Sequence, residues 1–360
     1  MTRIFNFSSG PAILPESVLI EAQQAIWDLN GSGLGLLECS HRSSLFESVL
    51  YSAADRLTRL LQLDSDQAVL FLQGGASAQF FLVPMNFLRG GRATYLDTGV
   101  WSTKAIAEAR RFGTVDVPFS SAQSQFDHVP KPGEWGDLPA QTAYLHYTSN
   151  NTVYGTQYDY IPDSKGVPLV GDLSSDILSK PIDGSRFHLI YAGAQKNLGP
   201  SGVVVVVVRR SWLDKADKNI PSLLQYQNQV DNDSMVNTPP TFGIYVIDRM
   251  CAWIEAQGGL SVVAAKNQAK AAKLYGAIDA TDFWRGTVQP SSRSLMNICF
   301  RSPSPNLDAE FIRFAESRGL SGLKGHRSVG GMRAGMYNGQ TEAAVDALVS
   351  LLSEFEKTHG

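Results

Sequence analysis

Six consecutive valines at 203–208 constrain this chain more than any other stretch. β-Branched side chains are stiff about χ1 and favour extended backbone. A run that is apolar at every position has no face to offer water, so it reads as a strand covered on both sides. Similar runs occur at 68–73, 93–97, 143–147, 167–172 and 187–192, with helical stretches such as 78–87 and 102–111 between them. Strand, helix, strand in repetition predicts an α/β layer structure, a mostly parallel sheet wrapped by helices.

That pattern spans 16–258. After Gly258-Gly259 a long helical segment, 260–277, leads to a strand at 296–301, a helix at 307–318 closed by Gly319, and a last helix from Glu342. In that helix Val345, Leu348, Val349, Leu352 and Phe355 form one apolar stripe. A large domain at 16–258 is expected, with a smaller α+β domain built from 1–15 and 259–360.

Composition narrows the function. Lysine plus arginine is 31 against 34 acidic residues, a formal charge of -3, so the uniform positive field of a nucleic-acid or anionic-membrane binder is missing. The valines are also the longest apolar run, far short of a membrane span. Cys39, Cys251 and Cys299 are too far apart for a CxxC metal site or a disulfide framework, which fits a reducing compartment. Residues 1–15 carry no apolar signal core. The expectation is a cytoplasmic protein with no nucleic-acid, membrane or metal partner.

Chemistry concentrates between 167 and 202. Asp172 terminates an apolar strand, at the sheet edge where α/β proteins bind ligands, and a buried carboxylate there needs a cation. Lys196 follows the next strand, in the turn before the valines. Taken alone it is either a lysine whose stem snorkels along apolar surface or a partly desolvated amine able to form a Schiff base. Together the two match the pyridinium partner and Schiff-base lysine of a pyridoxal 5'-phosphate (PLP) site. Gln73-Gly74-Gly75-Ala76-Ser77 joins a strand to a helix; such a turn serves plain packing or cradles a phosphate on free N–H groups. Trp101, at the next strand-to-helix junction, is either core filler or a platform for a flat ring.

With these residues in view, the chain resembles the phosphoserine aminotransferases, class V aminotransferases of the PLP-dependent fold-type I superfamily, essentially end to end. The resemblance is carried by FNFSSGPAILP (5–15), ECSHRS (38–43), FLQGGASAQF (71–80), GVWS (99–102), GDLSSDILSKPID (171–183), AGAQKNLGPSG (192–202), VNTPPTFGIY (236–245) and GHRSVGGMRAGMYNG (325–339). It implies that Lys196 carries the cofactor, that Asp172 keeps its pyridine nitrogen protonated, that Trp101 stacks on the ring and that Thr152 contacts the phenolic oxygen. Ala76, Ser77 and Gln195 would bind the cofactor phosphate, with Asn237 and Thr238 reaching over from a second subunit of a homodimer. Arg333 would grip the substrate α-carboxylate, and His41, Arg42, His326 and Arg327 its phosphate or distal carboxylate. Ser9 would help seat the amino acid. Where the family commonly has an acidic residue this chain has Asn151, a change expected to touch only local loop charge.

The implied reaction is reversible transamination between O-phospho-L-serine and 2-oxoglutarate, in serine biosynthesis. 4-Phosphohydroxy-L-threonine, of vitamin B6 biosynthesis, is a related family substrate. Two anionic groups on one substrate rationalise arginine and histidine in three separate loops. An alanine:glyoxylate-type transaminase would not need both His-Arg pairs. A cysteine desulfurase requires a nucleophilic thiol in a late loop, and no cysteine follows Cys299. A non-catalytic PLP-binding relative predicts loss of Lys196 or Asp172, and both are present. No GxGxxG follows the first strand, which disfavours a Rossmann dehydrogenase.

Overall fold

The computed structural model describes residues 3–360; Met1 and Thr2, which open the N-terminal segment, lie outside it. At its centre is a seven-stranded sheet. From edge to edge its strands are Gln67–Leu72, Val204–Arg209, Leu189–Gly193, Leu169–Asp172, Thr142–Thr148, Arg92–Asp97 and Thr114–Ser120. The valines divide by parity, as a period of two requires. Val203, Val205 and Val207 join the core under helices Ser44–Leu60 and Thr241–Ala256. Val204, Val206 and Val208 join the opposite core, under helices Gly75–Phe87 and Val100–Ala109.

The sheet is mixed, with the valine strand antiparallel to both neighbours and the remaining four pairings parallel. Six strands therefore share one direction, and their carboxyl ends gather the turns at 73–77, 98–101, 149–152, 172–174 and 193–196 along one edge. The valine strand starts from that same edge. Thr114–Ser120 has no counterpart in the sequence reading, because Asp116 and Pro118 interrupt its apolar pattern. Its place at the open edge, half-exposed, is where a strand tolerates proline.

A second, three-stranded antiparallel sheet comprises Arg285–Gly286, Asn297–Arg301 and Met332–Gly335. Helices Leu260–Asp279, Pro305–Ser317 and Glu342–His359 share its core. In the last helix Val345, Leu348, Leu352 and Phe355 are buried while Val349 is only partly covered; Ala344 and Leu351 complete the face. The N-terminal residues Phe5–Asn6 pair in parallel with Leu320–Ser321, and Phe7 is buried in this core. Among the described residues no helix is long and apolar enough to cross a membrane.

Candidate active site

A cavity of about 450 Å³ opens at the shared strand edge, lined by Lys196, Asp172, Trp101, Ala76, Ser77 and Gln195 among others. Lys196 lies in the tight turn between Leu189–Gly193 and the valine strand. Its Nζ donates to Thr152 Oγ1 across 3.3 Å and stands 5.3 Å from the Trp101 ring centroid. Burial lowers its pKa from 10.5 to about 8; Asp172 opposes this and Arg333 reinforces it. About one amine in ten is then neutral at pH 7, far more than for an ordinary lysine.

Asp172 ends its strand only 4% exposed. Ser174 donates both its N–H, at 3.0 Å, and its hydroxyl, at 2.5 Å, to Oδ1. Burial still raises the carboxyl above the usual carboxylate range, with Ser174 and Lys196 working against it. An acid held this way gains from a further cation, the demand that a protonated pyridine nitrogen meets.

The helix Gly75–Phe87 begins three residues earlier than its apolar pattern implies, so Ala76 and Ser77 belong to its first turn. The chain enters it through Gly74 at φ 88 and Gly75 at φ 63, a region that side chains rarely tolerate. First-turn N–H groups have no intrahelical acceptor. A Cβ on Gly75 would meet no atom within 4 Å, which leaves room for an anion at the helix N-terminus. Trp101 likewise falls inside the first turn of Val100–Ala109, and its indole N–H donates to Thr152 Oγ1 at 2.7 Å, fixing the ring at the cavity wall. Amine, acid, aromatic wall and anion cradle together fit PLP.

Arg333 reaches the same place from the smaller sheet, with Nη1 donating to the Thr152 carbonyl at 2.8 Å and Nε buried without a partner. Burial and the charges of Arg333, Arg327 and Lys104 lower the pKa of His326, so these cations share one field. The Ser9 hydroxyl is buried and unpartnered, while its carbonyl accepts from Tyr337 Oη at 3.0 Å.

Nine expected residues are outside the lining of this cavity. Thr152 bonds to Lys196 and Trp101, Arg333 to Thr152, Ser9 adjoins Gly10, and His326 and Arg327 share the field of Arg333, whereas His41, Arg42, Asn237 and Thr238 have no such link. Ser43 caps helix Ser44–Leu60, so His41 and Arg42 precede a helix N-terminus elsewhere. Asn237 and Thr238 are exposed, the latter's carbonyl accepting from Gln73 Nε2 at 2.8 Å. Asn151 is fully buried, donating to the Thr98 and Thr156 hydroxyls at 3.1 Å each. Its change from an acidic residue thus affects internal hydrogen bonding, whereas the sequence reading confined it to loop charge. All three cysteines are buried and free. Cys299 lies behind the Thr152 loop, donating to Val153 O at 3.6 Å, and burial pushes its thiol up to about 12, so it offers no thiolate.

Sequence reasoning passed over three residues here. Ser174 had a local signal, since serine two positions after aspartate forms an Asx turn. Gly10 had a weaker one in SSGP; it sits at φ 122, and a Cβ on it would stand 3.1 Å from Lys196 Cγ. Lys104 lies three positions after Trp101 on one helix face, with Nζ 4.8 Å from the indole centroid.

Comparison with known proteins agrees with this geometry. Residues 4–348 match the family model for class-V aminotransferases. A phosphoserine aminotransferase of Pseudomonas aeruginosa is 50% identical over 359 residues, 99% of each chain. A solved structure of the phosphoserine aminotransferase from Bacillus circulans subsp. alkalophilus superposes with a TM-score of 0.97 at 47% identity, covering 99% of both chains. A PLP-bound phosphoserine aminotransferase from Trichomonas vaginalis gives a TM-score of 0.92 at 38% identity, covering 98% of this chain and 100% of the other. The chain belongs to the class V aminotransferases and, within them, to the PLP-dependent phosphoserine aminotransferase family.

Proposed function

We propose that the chain exchanges an amino group between O-phospho-L-serine and 2-oxoglutarate, reversibly forming 3-phosphooxypyruvate and L-glutamate. The observation that carries this reading is a half-buried amine and a buried acid lining one cavity at a strand edge, with Arg333 bonded to the adjoining Thr152 and sharing one field with His326 and Arg327. PLP, when bound, supplies an electron sink for the charge left at the substrate Cα. Asp172, oriented by Ser174, keeps the pyridine nitrogen charged. Trp101 and Thr152 set the plane of the ring and meet its phenolic oxygen. Ala76, Ser77 and Gln195 hold the phosphate at the helix N-terminus.

Lys196 would hold the cofactor aldehyde, and its Nζ, once free, would remove the substrate Cα proton and deliver it to the cofactor's exocyclic carbon, as base and acid in turn. An amine with a pKa near the working pH suits both tasks. Arg333 binds the α-carboxylate; its unpartnered Nε is a donor held in reserve for a ligand. His326 and Arg327 take the side-chain phosphate or the distal carboxylate, and the free Ser9 hydroxyl helps seat the amino acid.

His41, Arg42, Asn237 and Thr238 complete the site from a second copy of the chain, which makes the homodimer the catalytic unit. Support comes from apolar side chains left exposed around helix Glu16–Trp27, Trp27 at 87% and Leu37 at 61%, of the kind buried between subunits. The division into 16–258 and 1–15 with 259–360 belongs to the same reading and is supported by the separate core that Phe7 shares with residues 271–355.

The test compares kcat/KM for phosphoserine, serine and alanine with 2-oxoglutarate. Phosphoserine should lead by roughly 100-fold or more, since a site built for a charged group rejects analogues that leave it unpaired. Equal values for alanine and phosphoserine would exclude the phosphate role of His326 and Arg327.

A further inference from the structure

Three buried asparagines from distant parts of the chain converge on the loop after Asp172. Asn197 Nδ2 donates to Ile177 O at 2.7 Å, Asn338 Nδ2 to Leu178 O at 2.8 Å and Asn267 Nδ2 to Ser179 O at 3.0 Å. Three successive carbonyls thus meet three amides. The amides are also linked to one another: the Asn338 N–H donates to Asn197 Oδ1 at 2.9 Å, and Asn267 Nδ2 donates to Asn338 Oδ1 at 2.9 Å. Asn197, Asn338 and Asn267 are 2%, 6% and 1% exposed, so water offers them little competition. Leu178, the middle acceptor, sits at φ 57, a left-handed conformation that a leucine keeps only where its surroundings over-determine it.

Each asparagine belongs to a different part of the site. Asn197 adjoins Lys196, the accepting carbonyls follow Asp172, and Asn338 lies five positions beyond Arg333. Asn267 is in helix Leu260–Asp279, which leads from the large sheet to the small one. Segment 333–338 is therefore fastened to the large sheet at both ends. Arg333 is held at Thr152 O, and Asn338 at Asn197 and Leu178 O. Pairing buried polar groups is a general requirement. It does not require that one chain of amides join the lysine turn, the aspartate loop and the arginine segment.

We propose that this asparagine clamp sets the distance between Arg333 and the Lys196 amine, which makes Asn197 and Asn338 positioning residues for the α-carboxylate. The inference rests on the PLP transamination reading above. A substrate must present its carboxylate to Arg333 and its reacting carbon to Lys196 at the same time, and an arginine displaced from that distance loses binding that substrate and transition state share. Phosphoserine and 2-oxoglutarate share the α-carboxylate, so a loosened clamp weakens both alike. Contacts to the cofactor itself are left in place.

The experiment uses holoenzyme carrying Asn338→Ala, which removes the side-chain bonds to Leu178 O and Asn267 while the backbone N–H keeps its bond to Asn197, with Asn267→Ala as a second variant that leaves the Asn338 bond to Leu178 O in place. Steady-state kinetics with both substrates are combined with the visible spectrum of the bound cofactor, its pH titration and thermal melting. KM should rise about tenfold for phosphoserine and 2-oxoglutarate alike in Asn338→Ala, with kcat changed by less than about threefold. The cofactor spectrum and its titration should match wild type. O-Phosphoethanolamine, which lacks the carboxylate, should perturb the spectrum at the same concentration in variant and wild type. Asn267→Ala should show the same split to a smaller degree, and it decides the matter if Asn338→Ala does not fold. Lower melting with unchanged KM, or a rise confined to one substrate, overturns the clamp. Wild-type protein that takes up no PLP overturns the underlying reading first, before any variant is compared.

Discussion

Arg333 Nη1 donates to the Thr152 carbonyl across 2.8 Å, while the hydroxyl of the same threonine receives Trp101 Nε1 at 2.7 Å and Lys196 Nζ at 3.3 Å. One residue thereby gathers a strand of the small sheet, the first turn of a helix and the lysine turn. Thr152→Val keeps the shape and removes the shared oxygen, leaving two donors without it. A partly buried donor left unpaired costs about 1–3 kcal/mol. The expected outcome is a lower melting temperature and kcat/KM reduced about tenfold or more, with Thr152→Ser close to wild type. Equal effects of Val and Ser in these assays would refute the role of the oxygen.

Burial holds the Lys196 amine at about 8, below its ordinary 10.5. A lowered pKa means the neutral, nucleophilic form grows as pH rises, is half populated at that value and is nearly complete about one unit above it. When PLP is added to apoprotein, the rate at which the visible band forms should climb through pH 7 and 8 and level off above about 9. A rate still climbing toward pH 10 would mean that an ordinary surface lysine is reacting. Borohydride reduction and peptide mapping should place the label on Lys196.

Gly10 lies beside the same side chain. Gly10→Ala forces a Cβ to within 3.1 Å of Lys196 Cγ at φ 122, whereas at Gly90, with φ 76, a Cβ meets nothing within 4 Å. Backbone strain of roughly 1–3 kcal/mol should lower the melting temperature of both alanine variants. Only Gly10→Ala should slow cofactor loading, by about tenfold. Similar loading rates in the two variants would show that the contact with Lys196 is irrelevant.

A site shared between two copies predicts complementation. Lys196→Ala and Asn237→Ala homodimers should each be nearly inactive. Mixed and allowed to exchange subunits, they should recover about a quarter of wild-type activity, since half the dimers then carry one intact site of two. No recovery, with exchange verified by native mass spectrometry, would mean that each chain builds its site alone.

Much of this was legible in local pattern. The hexavaline run, apolar at both parities, required a strand covered on both faces, and its valines do alternate between two cores. Asp172 at a strand end and Lys196 after the next strand marked the ligand edge before any contact was known. Their order along the chain follows from the winding of the sheet.

Other features had no local signal. An all-apolar strand pairs equally well in either direction, so nothing in 203–208 says that it runs antiparallel to its neighbours. Asn151 reads as a polar loop residue until Thr98 and Thr156 enclose it. The carbonyls of 177–179 find their amides 20, 160 and 88 positions away. Periodicity and composition report what each segment buries and which chemistry it carries; hydrogen-bond partners across the chain are chosen only when distant segments close on one another, because directional bonds depend on where both ends finally lie.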